Sequence, residues 1–178
     1  MGASDWGRRL SLAATAAAAA LSDGAITTEA LAEYVPAGRR FGLLPRPATM
    51  LPLGEVWRLG VLLLGTDARL YAAGSATRAA ERGRPGYQSL SREDRREMAA
   101  AALHGGYPIG TSVNYGAILL PAEDDRLRAL DESAPIGIHD GELRVRWRAG
   151  TSLVGAPSLE RYLAERAELL LRPPLGSS

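Results

Sequence analysis

The side chains available for chemistry are few. The chain contains no cysteine and no lysine, so all 21 basic residues are arginine, and histidine occurs only at His104 and His139. Thiolate nucleophiles, disulfides, iron–sulfur clusters and thiol zinc sites are excluded. So are Schiff-base and pyridoxal-phosphate lysines and the phosphate-reaching lysine of a Walker A loop. Hydroxyl, carboxylate, imidazole and guanidinium chemistry remains. The two histidines form no His-x-x-x-His pair, so a metal site would have to recruit distant carboxylates, and neither metal nor cofactor is expected. His104 closes a helical pattern, where the helix dipole favours an imidazolium, and His139 borders a turn. The run Glu123-Asp124-Asp125 begins a polar helical segment and lacks the ligand spacing of a calcium loop. Gly150-Thr151-Ser152-Leu153-Val154-Gly155 misses a nucleophile elbow by one residue. The glycine- and hydroxyl-bearing loop from Gly105 to Ser112 enters an apparent strand rather than a phosphate-binding helix, and Tyr107 and Asn114 beside it mark the first place to seek a pocket.

A second candidate is a row of guanidinium groups. In the stretch from Ile136 to Arg148, Asp140-Gly141 predicts a tight hairpin. Strict alternation after it places Leu143, Val145 and Trp147 on one face and Arg144, Arg146 and Arg148 on the other. Three such groups can clamp phosphate or carboxylate, or can simply guard a solvated sheet face against strand addition. The absence of lysine beside abundant alanine, glycine and proline reflects GC-rich codons, so arginine usage alone selects no anion. A formal charge of +1 gives no global field toward nucleic acid or an anionic membrane.

The elements that must carry these residues can be sketched. Ser4 or Asp5 caps an alanine-rich helix to about Leu21, stopped by Ser22-Asp23-Gly24. Arg8-Arg9-Leu10-Ser11-Leu12 with the alanines after it also has the outline of a twin-arginine export leader, which leaves export as the alternative to a cytoplasmic location. Residues 27–35 begin with Thr27-Thr28-Glu29 and meet Pro36, predicting a second helix and thus an N-terminal helical hairpin over residues 1–36. Its exposed charges, Glu29 and Glu33, are acidic, which argues against a DNA reader. Glu55 to Leu64 reads as an interior strand with a bulge at Gly60, paired through Gly65-Thr66-Asp67-Ala68 with the run from Arg69 to Gly74. Residues 77–89 read as a surface loop, and Ser91-Arg92-Glu93-Asp94 as a capping box opening a helix that Gly105 stops. Ser158 caps a last helix with Leu159, Tyr162, Leu163, Leu169 and Leu170 at helical spacing, Arg161 pairs with Glu165, and Pro173-Pro174 end it.

The block Gly54-Glu55-Val56-Trp57-Arg58-Leu59-Gly60-Val61-Leu62-Leu63-Leu64, the segment Leu70-Tyr71-Ala72-Ala73-Gly74, and Gly105-Gly106-Tyr107-Pro108 leading to Val113-Asn114-Tyr115 resemble an uncharacterised protein family of high-GC Gram-positive bacteria. The resemblance covers roughly residues 25–172 and implies a bacterial, cytoplasmic protein; it brings no activity, cofactor or catalytic residue. The expected fold is a single α+β domain over residues 1–178, with residues 37–172 as its core and 173–178 as a disordered tail. Its central antiparallel sheet has five or six strands, and helices pack mainly on one face. No stretch is long and apolar enough to span a membrane. The leading functional expectation is a non-catalytic accessory or binding protein that presents Arg144, Arg146 and Arg148 to a protein or a small anion, with self-association as an option. The competing one is a small hydrolase or metabolite transferase using His104 or His139 near the Gly105–Asn114 loop.

Overall fold

The computed structural model describes residues 5–40, 44–81 and 90–173. In chain order the elements are α1 (Trp6–Asp23), β1 (Glu29–Val35), β2 (Gly38–Arg40), β3 (Leu44–Arg46), β4 (Thr49–Leu59), β5 (Leu62–Gly65), β6 (Leu70–Ala72), β7 (Ser75–Arg78), α2 (Leu90–His104), β8 (Ser112–Tyr115), β9 (Ile118–Leu119), α3 (Asp124–Arg128), β10 (Ile136–His139), β11 (Glu142–Val145) and α4 (Leu159–Leu171). The class is α+β. Its main sheet has seven strands in the order β7-β8-β1-β4-β5-β6-β9, and β2–β3 and β10–β11 form separate two-stranded ribbons. The sheet is mixed rather than wholly antiparallel, because β1 runs parallel to β8 and antiparallel to β4. The chain divides into two compact units, one of residues 1–27, 57–73 and 118–178, the other of residues 28–56 and 74–117.

In the first unit, α1 buries Leu10, Ala14, Ala17, Ala18 and Leu21, one face of a 3.6-residue repeat. Asp23 is its last helical residue, and the Gly24 N–H closes the final turn on Ala20 O at 3.0 Å. Its start is held electrostatically: the Asp124 carboxylate accepts from the Gly7 N–H at 2.7 Å, putting negative charge at the positive end of the helix dipole. Of the acidic run, Asp124 serves α1 in this way, and Glu123 meets Arg126 at 3.6 Å. On α4, the Ser158 hydroxyl accepts from the Arg161 N–H, and Leu159, Tyr162, Leu163 and Ala167 face inward. Trp57, Leu62, Leu64 and Leu143 complete this core, with the Trp57 indole N–H donating to Ile26 O at 2.9 Å.

The second unit packs α2 against β1, β4, β7 and β8 around Ala32, Met50, Ala101, Ala102 and Val113. Residues 29–35 correct the expected second helix. Ala30, Ala32 and Tyr34, spaced by two, turn toward this core, and both edges of the strand are paired, by β4 and by β8. Strand pairing on two sides outweighs the modest helix preference of a short Glu/Ala/Leu segment. The expected N-terminal helical hairpin is therefore one helix followed by a central strand.

Residues 55–64 also differ from the single interior strand expected of them. The chain reverses at Gly60, whose φ of +66° is open to glycine at little cost, so Leu59 ends β4 and Leu62 opens β5. The Tyr162 hydroxyl locks this turn onto α4, donating to Leu59 O at 2.9 Å and accepting from the Val61 N–H at 3.2 Å. A continuous apolar run can be one buried strand or two shorter ones, and only the glycine distinguishes them. Thr77 and Arg78, expected in a loop, belong to β7. The expected cap Ser4, the remainder of that loop from residue 82, the side chains of the expected capping box at Leu90 and Ser91, and residues 174–178 of the expected tail lie outside the described residues.

Candidate functional site

The arginine row is dismantled by its surroundings. Asp140 and Gly141, at φ of 51° and 75°, make the expected tight turn, and Leu143 and Val145 are buried as expected. Alternation then ends, because β11 stops at Val145, and Trp147 is 69% exposed instead of buried. Arg146 points inward and is only 7% exposed. Its Nε donates to Thr151 O and its Nη1 to Ala134 O and Ile136 O, each at 3.0 Å. Arg144 donates to Ala156 O at 2.9 Å and meets Glu142 at 3.1 Å. Arg148 is exposed and rests 5.0 Å above the Trp147 ring. The physical cause is the return of residues 151–158, which pass over the face expected to be solvated and bridge to Arg144 through Ser158. Carbonyls of that segment need donors, and the two guanidiniums supply them.

Asn114 and Tyr107 likewise hold the fold. Asn114 is fully buried and its amide donates to Glu29 Oε2 at 2.7 Å and Ala30 O at 3.1 Å, linking β8 to β1. The Tyr107 hydroxyl reaches Leu31 O at 3.5 Å, and burial raises its pKa above the ordinary value. The two histidines lie in different units. His139 is half-buried, with Nε2 3.3 Å from the carboxylate of Asp140 in the turn. No group of three or more potential metal ligands occurs among the described residues.

His104 stands among other titratable groups. It lines a recess of about 190 Å³ together with Glu97, Pro47, Ala48 and Ala101, and its Nδ1 lies 3.0 Å from Ala48 O. Glu97, two turns earlier on α2, accepts a 2.8 Å hydrogen bond from the Tyr34 hydroxyl. Desolvation, then the bond and the negative charge of Glu97, push the Tyr34 pKa up to about 12, so this phenol is a fixed proton donor. Sequence reasoning named the imidazole and missed its neighbours. The i, i+7 spacing of Glu97 and His104 was visible, whereas Tyr34 joins them only because its segment is a strand.

An apolar depression lies in the first unit. α1 and α4 run side by side in the same direction. Arg9 pairs with Glu160 at 2.7 Å at their N-terminal ends, and Gly24 abuts Leu171 at their C-terminal ends. Between them is a groove of about 550 Å³ with Leu12, Ala13, Ala16, Ala20, Ala164 and Leu171 on its surface, and Arg9, Glu160 and Glu168 as its charged members. From Leu10 to Ser22 α1 carries no charge, yet Leu12 is 60% exposed and Thr15, Ala16 and Ala19 face solvent. A helix of this composition is ordinarily covered on more than one side. Alanine along this face lets α4 lie close to α1; read as a sequence alone, the same run resembled an export leader. No helix among the described residues is long and apolar enough to cross a membrane.

Compared with protein-family profiles, with curated proteins and with solved structures, the chain matches none, so its function rests on its own geometry.

Proposed function

We propose that this is a non-catalytic, cytoplasmic accessory protein of the bacterial family it resembles, and that it binds an apolar helical surface in the α1–α4 groove. The observation that carries the reading is that groove: about 550 Å³, lined by alanine and leucine with Arg9, Glu160 and Glu168 as its charged members, along a helix face with no charge between Leu10 and Ser22. The arginine row is a weaker candidate, since Arg144 and Arg146 already donate to backbone carbonyls of the protein itself. The test is capture of the apolar dye anilinonaphthalene sulfonate by the folded chain at high dilution, where no second molecule competes for the groove. Ala16→Glu and Ala164→Glu should each weaken it at least tenfold while Arg148→Gln leaves it unchanged. Dye capture indifferent to both glutamates would reject the groove.

A second reading is supported by the recess in the other unit, where an imidazole and a carboxylate share one concavity and a hydroxyl is bonded to the carboxylate. As a small hydrolase or transferase, the protein would use His104 as general base and Glu97 with Tyr34 to position substrate. His104→Ala should then abolish turnover of activated esters by the purified protein. Turnover that survives this change belongs to something else.

A further inference from the structure

Resting on the groove reading above, the charge pattern of α1 points to a specific occupant: we propose that a second copy of this chain lays its own α1, antiparallel, into the groove, giving a two-fold symmetric dimer. Projected at 100° per residue, Arg9, Leu12, Ala16, Ala19, Ala20 and Asp23 fall on one face of α1. That face is basic at its N-terminal end, acidic at its C-terminal end and uncharged between. Its positions are symmetric about Ala16. In an antiparallel pairing centred there, Arg9 of one copy meets Asp23 of the other, the exposed Leu12 faces the small Ala20, and Ala13 faces Ala19. A parallel pairing would instead bring like charges together at both ends. Asp23 is exposed, and no partner for it occurs among the described residues, whereas Arg9 already shares Glu160. Incoming Arg9 at the far end would also approach Glu168, the acidic member of the groove beside Leu171; the Glu168 carboxylate meets Arg172 at 2.9 Å. Antiparallel α1 helices place opposite dipole ends together as well.

The size is adequate for a reversible dimer. α1 has 18 residues and α4 has 13, giving lengths of about 27 and 20 Å; with helices ~10 Å wide the two faces project ~470 Å² per copy. Over two copies this approaches the ~1,000 Å² that specific interfaces need. Alanine on both sides lets helix axes approach to about 8 Å, which brings the two Ala16 Cα atoms within about 6 Å, a span a disulfide bridges.

The chain has no cysteine, so cross-linking can be read without background. Ala16→Cys, on the two-fold axis, should oxidise rapidly to a covalent dimer. Leu12→Cys and Ala20→Cys should each remain largely uncrosslinked alone and cross-link when mixed, and wild-type chain should sediment as a dimer. If Ala16→Cys links no faster than the exposed control Ser152→Cys and the wild-type chain sediments as a monomer, the second-copy inference is overturned. Such a monomer that still captures the apolar dye in a groove-dependent way leaves the groove reading standing with a different occupant. A monomer that captures none removes both.

Discussion

Arg146 offers a sharp test of how the β10–β11 region is built. Replacing it with methionine keeps most of the stem volume and removes the charged head that donates to the carbonyls of Ala134, Ile136 and Thr151. A hydrogen bond to a charged group contributes about 1.5–3 kcal/mol, and a buried acceptor left unsatisfied costs about 1–3 kcal/mol. Two effects reduce the sum. Removing the guanidinium relieves its own desolvation, and the half-exposed Thr151 carbonyl can take water instead. The net expectation is a loss of about 3 kcal/mol, or about 6–12 °C in Tm for a chain of 178 residues. Urea unfolding followed by tryptophan fluorescence and far-ultraviolet dichroism would measure it, with Arg148→Gln as the exposed comparison at under about 0.5 kcal/mol. An Arg146→Met variant as stable as the Arg148 comparison would refute the reasoning, because the guanidinium would then be meeting water instead of the backbone.

Other perturbations have similarly definite outcomes. Asp124→Ala removes the acceptor and the negative charge at the start of α1, and should cost about 1 kcal/mol in the same unfolding assay. Gly7→Ala drives a Cβ into the backbone carbonyl of Ala122, so α1 must shift; a loss of at least ~2 kcal/mol is expected in thermal melts. Spectrophotometric titration should show one tyrosine ionising only near pH 12, and Tyr34→Phe should delete that step. Because the folded pKa of Tyr34 lies above the ordinary 10.0, its contribution to stability is complete below pH 10 and disappears as pH rises toward 12. Glu97→Gln should lower that titration step partway, since desolvation of the phenol remains.

The parts of the fold legible in the sequence were those with local causes. The Asp140-Gly141 turn, the Ser158 cap, the Arg161–Glu165 pair and the end of α1 before Gly24 each depend on residues within a few positions of one another. β1 was missed because its state is decided by partners in β4 and β8, and the Ala30-Ala32-Tyr34 spacing is too short to announce a strand against the Glu/Ala/Leu background. Gly60 was recognised as special but assigned a bulge, since nothing nearby reveals that the Tyr162 hydroxyl closes a turn there. The arginine alternation was real as far as Val145. What defeated it was the returning segment through Ala156 and Ser158, a long-range event that covered the polar side and turned guanidiniums into donors for its carbonyls. For the candidate sites, His104 was identifiable by residue type alone, whereas the groove required knowing that α4 lies parallel to the alanine helix.

The groove and its symmetric occupant can be tested together by sedimentation equilibrium of the wild-type chain and Ala16→Glu. Ala16 is exposed on α1, so the glutamate should leave the melting temperature of the dilute, monomeric chain nearly unchanged while converting a concentration-dependent dimer into a monomer. Identical masses for the two proteins at every concentration would contradict the account.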